Sequence, residues 1–351
     1  MQVAQTMLDP TIPVFNMQDF FDQDKKMDFV KNIAKAGHEV GFLALTNTGY
    51  DLAKLNTAYK AYKQFFKSSE DSKREMYDPQ LHGQRGWVPG ETAQGSNKKD
   101  VKEFMHFGRA RNLYPKFMDL ETPTKDIIAE LDKVAHVVQK AIAIFMGLKE
   151  DFFVAQSASD ESECLLRPLY YPKNPEGTSG ADEHTDIDDF TVLPKATEKG
   201  LQIFHDNKWI DVVVPEGATI INFGDKWRNM TNGFLKSAVH RVVVDPKVER
   251  RSIVYFVHPK PSDDRTPTRE CIAMTGGQVR YPIATSLELL RSRLRELGLA
   301  GTAMLKAEVA SGIMQRHKEL VLSGQADEPV KRTFDLWETH LVKKYSETLG
   351  N

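Results

Sequence analysis

Two histidines and one aspartate of this sequence have the residue types and spacing of a metal site. His184 and Asp186 stand two residues apart, and His240 follows in a second segment of the same region. Two imidazoles and one carboxylate form the facial triad of non-haem Fe(II) oxygenases, which leaves coordination positions open for other molecules. Arg250 and Ser252 come shortly after His240. Because a guanidinium binds a carboxylate through two parallel hydrogen bonds, Arg250 predicts a co-substrate that carries a carboxylate.

These residues can meet only if their segments are extended, and the local sequence favours strands. Residues i and i+2 point to the same face of a strand, so His184 and Asp186 can reach one ion from a strand or a strand end. Residues 238–244 and 250–257 are both rich in β-branched side chains. In the second run the residues that share one face are Arg250, Ser252, Val254 and Phe256. We therefore expect His240, Arg250 and Ser252 to face one interior.

The spacing of a histidine and a carboxylate is not decisive by itself, because it occurs a second time. His317 and Glu319 have it too, but they lie in a helical pattern, where such positions point roughly 200° apart. We interpret that pair as solvated surface, and we expect no further histidine to bind the metal. His136 lies opposite the apolar stripe of its helix and is predicted to face solvent. His106 and Phe107 are candidates for the lining of a substrate pocket.

Short motifs recur in a fixed order between Ile12 and Leu297. They are Ile12-Pro13-Val14, residues 40–47, Lys102-Glu103-Phe104, Tyr170-Tyr171-Pro172, residues 200–203 with Trp209, residues 222–225 and Thr231-Asn232-Gly233. In order, spacing and number they resemble the motifs of the Fe(II)- and 2-oxoglutarate-dependent dioxygenase superfamily. Within it, the sequence is most similar to the branch that includes isopenicillin N synthase and many plant oxygenases.

The resemblance implies the cofactors, Fe(II) and 2-oxoglutarate, and a role for six residues. The implied metal ligands are His184, Asp186 and His240. Arg250 and Ser252 match the R-x-S motif of the family, which holds the distal carboxylate of 2-oxoglutarate. Tyr171 matches a tyrosine that often contacts the same co-substrate.

Two positions depart from the family pattern, and three functions stay open. Leu169 stands where an asparagine is often found, which puts one contact to 2-oxoglutarate in question, and Thr48 stands where a histidine is usual. The first function is a 2-oxoglutarate-dependent dioxygenase that hydroxylates or desaturates a small molecule and releases succinate and CO2. The second is an iron oxidase of the isopenicillin N synthase type, which keeps R-x-S without using 2-oxoglutarate. The third is a non-enzymatic jelly-roll protein that binds a ligand.

Composition argues against several other classes of protein. The net charge of −2 does not suggest a nucleic-acid partner. Cys164 and Cys271 are the only two cysteines, too few for a disulfide framework or a cysteine-rich zinc site. No apolar run approaches the ~20 residues that span a bilayer, and the first residues lack the pattern of a signal peptide. We therefore expect a cytoplasmic monomer or homodimer whose partners are a small-molecule substrate and O2, with no nucleic acid and no membrane.

The periodicity of apolar residues divides the chain into three regions. Residues 1–155 are mostly helical, with a clear amphipathic pattern over 52–66. Residues 156–285 alternate short strands and turns, as in a double-stranded β-helix, or jelly roll. Residues 286–351 form a helical extension. Its apolar stripe, which we expect to pack on the same chain, is Phe334, Trp337, Leu341 and Tyr345. The predicted fold class is α+β, with a mainly β jelly-roll core and flanking helices.

Overall fold

The computed structural model describes residues 10–81, 83–89, 102–173, 180–296 and 301–349, with residues 302 and 339–349 described by their backbone. The strands are β1 Val14–Asn16, β2 Phe42–Thr46, β3 Gly86–Val88, β4 Glu103–Gly108, β5 Leu165–Tyr171, β6 Ala181–His184, β7 Phe190–Leu193, β8 Leu201–His205, β9 Lys208–Asp211, β10 Thr219–Phe223, β11 His240–Val242 and β12 Arg250–Val257. The helices are α1 Lys26–Glu39, α2 Leu52–Phe66, α3 Glu70–Lys73, α4 Glu121–Phe145, α5 Phe152–Ser157, α6 Asp225–Met230, α7 Arg269–Met274, α8 Ser286–Glu296, α9 Thr302–Ser311, α10 Ile313–Leu322 and α11 Glu328–Leu349. Short 3-10 helices span Met17–Phe21, Arg74–Met76 and Pro79–Leu81.

Two sheets pack face to face around the interior of the protein. The large sheet has the order β1-β2-β10-β7-β12-β5-β4-β3, and the small sheet has the order β6-β11-β8-β9. Between them, apolar residues of both sheets form two clusters, one around Phe42 and Ile203 and one around Leu169 and Tyr171. This arrangement confirms the predicted α+β fold with a jelly-roll core.

The large sheet lies between the interior and a layer of helices, and successive side chains of its strands point alternately to these two sides. On β12, Ile253, Tyr255 and Val257 join the core formed with α1, α2 and α4. Arg250 and Ser252 point to the opposite face, toward the small sheet, and Val254 packs there as well. The predicted bounds and faces of β12 are therefore confirmed, and this strand carries two candidate residues into the interior.

Helix α2 shows how the helical layer follows from the sequence. Asp51 caps its first turn, where the carboxylate accepts a hydrogen bond of 2.7 Å from the amide of Ala53. Tyr62 and Phe66 of the predicted stripe are buried against the large sheet, whereas Leu52 at the start of the helix is 57 % exposed. The predicted amphipathic helix is thus confirmed except at its first residue.

Phe107 and two histidines lie in surroundings that differ from the predictions. Phe107 points into the helical core, whereas His106, its neighbour on β4, points to the other face of the sheet. His136 is half-buried, and its Nε2 is shielded from solvent. His317 is buried and its Nδ1 lies 2.9 Å from the carbonyl oxygen of Ile313. The prediction of a solvated His317 was therefore wrong, because the C-terminal helices cover a face that the helical pattern alone leaves open.

The C-terminal helices pack on one another and on the segment that follows β12. Phe334 is buried, and Trp337 packs beside Ala284, Ile313 and Met314. The first half of the predicted stripe thus contacts the same chain, as expected. The side chains of Leu341 and Tyr345 lie outside the described residues. No helix among the described residues is long and apolar enough to cross a membrane.

Candidate active site

The three predicted metal ligands converge between the two sheets. His184 is the last residue of β6, Asp186 follows two residues later, outside the strand, and His240 opens β11. Strands β6 and β11 are antiparallel neighbours in which His184 and His240 stand directly opposite each other. The two imidazole centroids are consequently only 4.3 Å apart.

The ligand atoms are close enough to share one ion. One atom from each of His184, Asp186 and His240 lies within 4.8 Å of the other two. Asp186 Oδ1 is 3.6 Å from Nε2 of His184 and 3.8 Å from Nε2 of His240. The side chains of Asp186 and His240 are 7 % and 8 % exposed, while that of His184 is 37 % exposed. The centre therefore opens to solvent on the side of His184.

Hydrogen bonds to the backbone orient both imidazoles. Nδ1 of His184 lies 2.7 Å from the carbonyl oxygen of Asp182, and Nδ1 of His240 lies 3.2 Å from that of Ala238. A carbonyl oxygen only accepts, so each Nδ1 carries the proton and each Nε2 keeps its lone pair for a metal. Burial, and then the neighbouring His240, lower the pKa of His184, which favours the neutral form that binds metal.

Two residues of the large sheet fix the carboxylate of Asp186. Its Oδ2 accepts hydrogen bonds from the hydroxyl of Thr191 on β7, at 2.7 Å, and from the amide of Asn222 on β10, at 2.8 Å. Burial raises the pKa of Asp186, but His240, His184, Thr191 and Arg167 together lower it below its usual value. The result is an ionised carboxylate whose other oxygen, Oδ1, points toward the two imidazoles.

Asp188 extends this network behind the centre. Its Oδ2 is also 2.7 Å from the Thr191 hydroxyl, which has a single proton to donate. Burial, followed by the charge of Asp186, raises the pKa of Asp188 well above its usual range. The neutral Asp188 can therefore give its own proton to Thr191 while Thr191 gives its proton to Asp186. An added Cβ on Gly224 would lie 2.1 Å from Asp188 Oδ1, so only glycine allows this approach.

A second group of predicted residues lies farther along the interior face of β5 and β12. Arg250 pairs with Tyr171 across these strands, and its guanidinium lies 5.2 Å from the centre of the Tyr171 ring. Its Nη1 donates to Ser252 Oγ at 3.2 Å, and its Nε lies 3.2 Å from the carbonyl oxygens of Glu198 and Lys199. Arg250 is 5 % exposed and has no carboxylate partner among the described residues.

The two groups face the same interior. Val242 shares a face of β11 with His240 and packs in the cluster that contains Tyr171. The structure thus places the six predicted site residues in two groups that face one interior. Sequence reasoning missed Thr191 and Asn222, which hold Asp186, and Asp188, which bonds to Thr191 behind them. Asn222 stands in the N-x-G-D match, and that motif was the one signal that pointed to it.

Comparison with known proteins agrees with this geometry. Residues 162–259 match the family model of the 2OG-Fe(II) oxygenase superfamily, and residues 12–125 match that of the N-terminal region of non-haem dioxygenases in morphine synthesis. Gibberellin 20 oxidase 3 of Arabidopsis thaliana is 25 % identical over 291 residues, which cover 77 % of this chain and 76 % of that protein.

Solved structures give the same result. A protein of Caulobacter crescentus, described as a 2OG-Fe(II) oxygenase family member, has a TM-score of 0.74 and 30 % identity over 82 % of this chain and 99 % of its own. A full-length Neurospora crassa protein in complex with alpha-KG has a TM-score of 0.73 and 25 % identity over 84 % of this chain and 98 % of its own. The chain belongs to the 2OG-Fe(II) oxygenase superfamily, so it is an Fe(II)- and 2-oxoglutarate-dependent dioxygenase that oxidises a small molecule with O2.

Proposed function

We propose that His184, Asp186 and His240 hold the catalytic Fe(II) of this dioxygenase. The observation that carries the assignment is the approach of three ligand atoms to within 4.8 Å of one another. The donor set fits the ion, because two neutral imidazoles and one carboxylate are the protein ligands that non-haem Fe(II) uses. Nε2 of both histidines and Oδ1 of Asp186 accept no hydrogen bond from the described residues, so each lone pair is available.

We propose that Arg250, Ser252 and Tyr171 bind 2-oxoglutarate. A guanidinium that is buried without a carboxylate partner is unfavourable, and the distal carboxylate of the co-substrate supplies one. Ser252 adds a hydroxyl beside Arg250 Nη1, and the ring of Tyr171 forms a wall on which the guanidinium rests. Leu169, in place of the usual asparagine, offers only an apolar contact.

The residues of the chain then prepare the reaction by binding, orientation and exclusion of water. When bound, Fe(II) and 2-oxoglutarate activate O2, which converts 2-oxoglutarate to succinate and CO2 and oxidises a C–H bond of the substrate. Thr191 and Asn222 keep Asp186 ionised and directed at the centre. The apolar cluster around Tyr171 and Leu169 keeps water away from the co-substrate.

Two variants test the assignment of these roles. Asp186→Ala removes the only carboxylate of the triad and should abolish stoichiometric Fe(II) binding under anaerobic conditions, together with succinate release. Asp206→Ala, at an exposed turn, is the control and should bind iron like the wild type. Full iron content and turnover in Asp186→Ala would remove Asp186 from the ligand set.

Arg250→Lys separates charge from shape at the co-substrate pocket. Lysine keeps the positive charge but loses the two parallel donors. The affinity for 2-oxoglutarate should therefore fall by about 1.5–3 kcal/mol, the contribution of a hydrogen bond to a charged group. Calorimetric titration of the metal-loaded protein measures this, and an unchanged affinity would contradict the role of Arg250.

We further propose that the protein acts in the cytoplasm as a monomer or homodimer, without a nucleic-acid or membrane partner. The net charge of −2 supports the absence of a nucleic-acid partner, because it gives no excess of positive charge to bind a phosphate backbone. The division into an N-terminal region of residues 1–155, a core of 156–285 and an extension of 286–351 stays a proposal as well. Light scattering of the purified protein tests the oligomeric state, and limited proteolysis tests the boundaries.

A further inference from the structure

A second arginine lies on the interior face of the large sheet. Arg167 on β5 is four residues before Tyr171 and pairs with Val254 of β12, so it shares a face with Tyr171. Four residues of a strand span about 13 Å. Arg167 therefore lies well away from Tyr171, which pairs with Arg250. Arg167 is thus a separate cation within the same interior.

Neutral groups hold Arg167 in place. Its guanidinium lies 4.9 Å from the ring centres of both Phe104 and Phe256. Its Nε donates a 2.6 Å hydrogen bond to Nε2 of His106, whose Nδ1 lies 2.6 Å from the carbonyl oxygen of Gly83. Since that carbonyl can only accept, His106 is protonated on Nδ1 and neutral. Burial, and then the charge of Arg167, lower the pKa of His106 well below its usual range.

Arg167 differs from the structural arginines of this chain. Arg265 forms two hydrogen bonds to Asp189, Arg109 forms two to Asp132, and Arg295 bonds to Glu308. Each of these guanidiniums is neutralised by a carboxylate. Nη1 and Nη2 of Arg167 have no hydrogen-bond partner, acidic or neutral, among the described residues. Among the described residues, Arg250, to which we assign a carboxylate of 2-oxoglutarate, is another interior arginine without an acidic partner.

Two neighbouring residues, Phe256 and Thr191, link Arg167 to the proposed metal centre. Phe256, which lies under the guanidinium, pairs with Thr191 across β12 and β7. Thr191 in turn holds the carboxylate of Asp186. In the loaded site one carboxylate of 2-oxoglutarate faces the metal and the other faces Arg250. The carboxylate of Asp186 also faces the metal. Arg167 is left as a cation with two free donor groups beside the place of reaction.

We propose that Arg167 is the substrate-anchoring residue of this enzyme and that its substrate is a small molecule with a carboxylate group. This inference rests on the proposed function of the site. His106 is a positioning residue: by accepting from Nε, it leaves both Nη groups to bind the carboxylate side by side. Phe104 and Phe256 present apolar surface to the hydrocarbon part of the substrate. The oxidised C–H bond belongs to that part, within reach of the metal.

A binding experiment without turnover tests this proposal. The protein is loaded with Zn(II) in place of Fe(II) and with saturating 2-oxoglutarate, which occupies the co-substrate site at Arg250. The probes are hexanoate, 3-phenylpropanoate and cinnamate, each compared with its primary amide at equal ionic strength. The amide keeps the shape of the acid but has no charge. Thermal unfolding detects binding, and calorimetry measures the dissociation constants.

The variants separate the role of Arg167 from general effects. Arg167→Met should weaken acid binding about 10- to 100-fold, because it removes two charge-assisted hydrogen bonds. Arg167→Lys should lose less. The matched control is Arg241→Met, because Arg241 also stacks on an aromatic ring, Trp209 at 3.9 Å, and also donates to a neutral acceptor, Gln202 at 2.8 Å. It should bind acids as the wild type does.

His106 and the co-substrate give two further readouts. His106→Leu should weaken acid binding and leave the affinity for 2-oxoglutarate unchanged, and His106→Gln, which retains an acceptor, should restore part of the loss. Arg250→Met should show the reverse pattern and lose 2-oxoglutarate. A purely structural role of His106 would lower the unfolding temperature without this selectivity.

Each possible result decides the question. Acids that stabilise the wild type and fail to stabilise Arg167→Met support the proposal. No binding of any acid, equal binding of acids and amides, or undiminished binding by Arg167→Met would overturn it. Failure of the wild type to bind Zn(II) and 2-oxoglutarate would instead contradict the proposed function, so the two failures are distinguishable.

Discussion

Replacement of Thr191 by valine tests whether the hydrogen-bond network behind Asp186 prepares the metal centre. Valine has nearly the same shape as threonine but lacks the hydroxyl that lies 2.7 Å from both Asp186 and Asp188. The change leaves the three proposed ligands in place. Any loss of metal affinity therefore reports on the orientation and charge of Asp186.

The size of the effect follows from the contacts of Asp186. A hydrogen bond to a charged group contributes about 1.5–3 kcal/mol, and loss of such a partner typically weakens a metal site by about 10- to 100-fold. Asn222 still donates to the same oxygen at 2.8 Å. We therefore expect the lower end of the range, about tenfold weaker binding of Fe(II). The free energy of unfolding of the metal-free protein should fall by about 1–3 kcal/mol, since Asp188 is left buried without its partner.

Anaerobic titration with Fe(II) and urea unfolding of the metal-free protein measure the two effects. The control is Thr219→Val on the adjacent strand β10, because Thr219 is fully buried and its hydroxyl has no hydrogen-bond partner among the described residues. That variant should bind iron normally and unfold at the same or a higher urea concentration. Equal iron affinities in Thr191→Val and Thr219→Val would refute the reasoning.

Three further predictions concern stability. Arg265→Met should lower the free energy of unfolding in urea by about 3–5 kcal/mol, because Asp189 is left buried and unpaired. Adding Asp189→Leu should recover most of that loss, and no recovery would contradict this explanation. Gly224→Ala should lower both the unfolding temperature and Fe(II) affinity, since a Cβ would lie 2.1 Å from Asp188 Oδ1. Unchanged values would show that Asp188 can shift to make room for the added methyl group. Deletion from Gln325 onward should reduce solubility and unfolding temperature, while light scattering finds the same number of subunits. A dimer that becomes a stable monomer would contradict packing within the chain.

The sequence predicted well those features that depend on neighbouring residues. The alternation of residues 250–257 located β12 and its interior face, and the spacing of His184 and Asp186 located a strand end. The resemblance to a family then predicted which interior residues belong together. The strand predictions succeeded because strand periodicity is a local property of the chain.

Features that depend on distant segments were missed or mistaken. The prediction of a solvated His317 was wrong because the pattern of its own helix gives no reason to bury it, yet the C-terminal helices enclose it. Thr191 reads as an ordinary strand residue, and only the approach of Asp186 and Asp188 makes it part of the site. Arg167 carries no local signal either. Its unusual state is visible only once β4, β5 and β12 are neighbours.

The support of the metal centre comes from both sheets, and this has a consequence for the mechanics of the protein. Both histidines belong to the small sheet, in which β6 is an edge strand, whereas the residues that hold Asp186 belong to β7 and β10 of the large sheet. In the proposed site, a bound ion would therefore link two layers that also meet through side-chain packing. Since a ligand stabilises only the states that bind it, chelation should raise amide exchange in β6 and β11 first, and the helical layer should exchange as slowly as before.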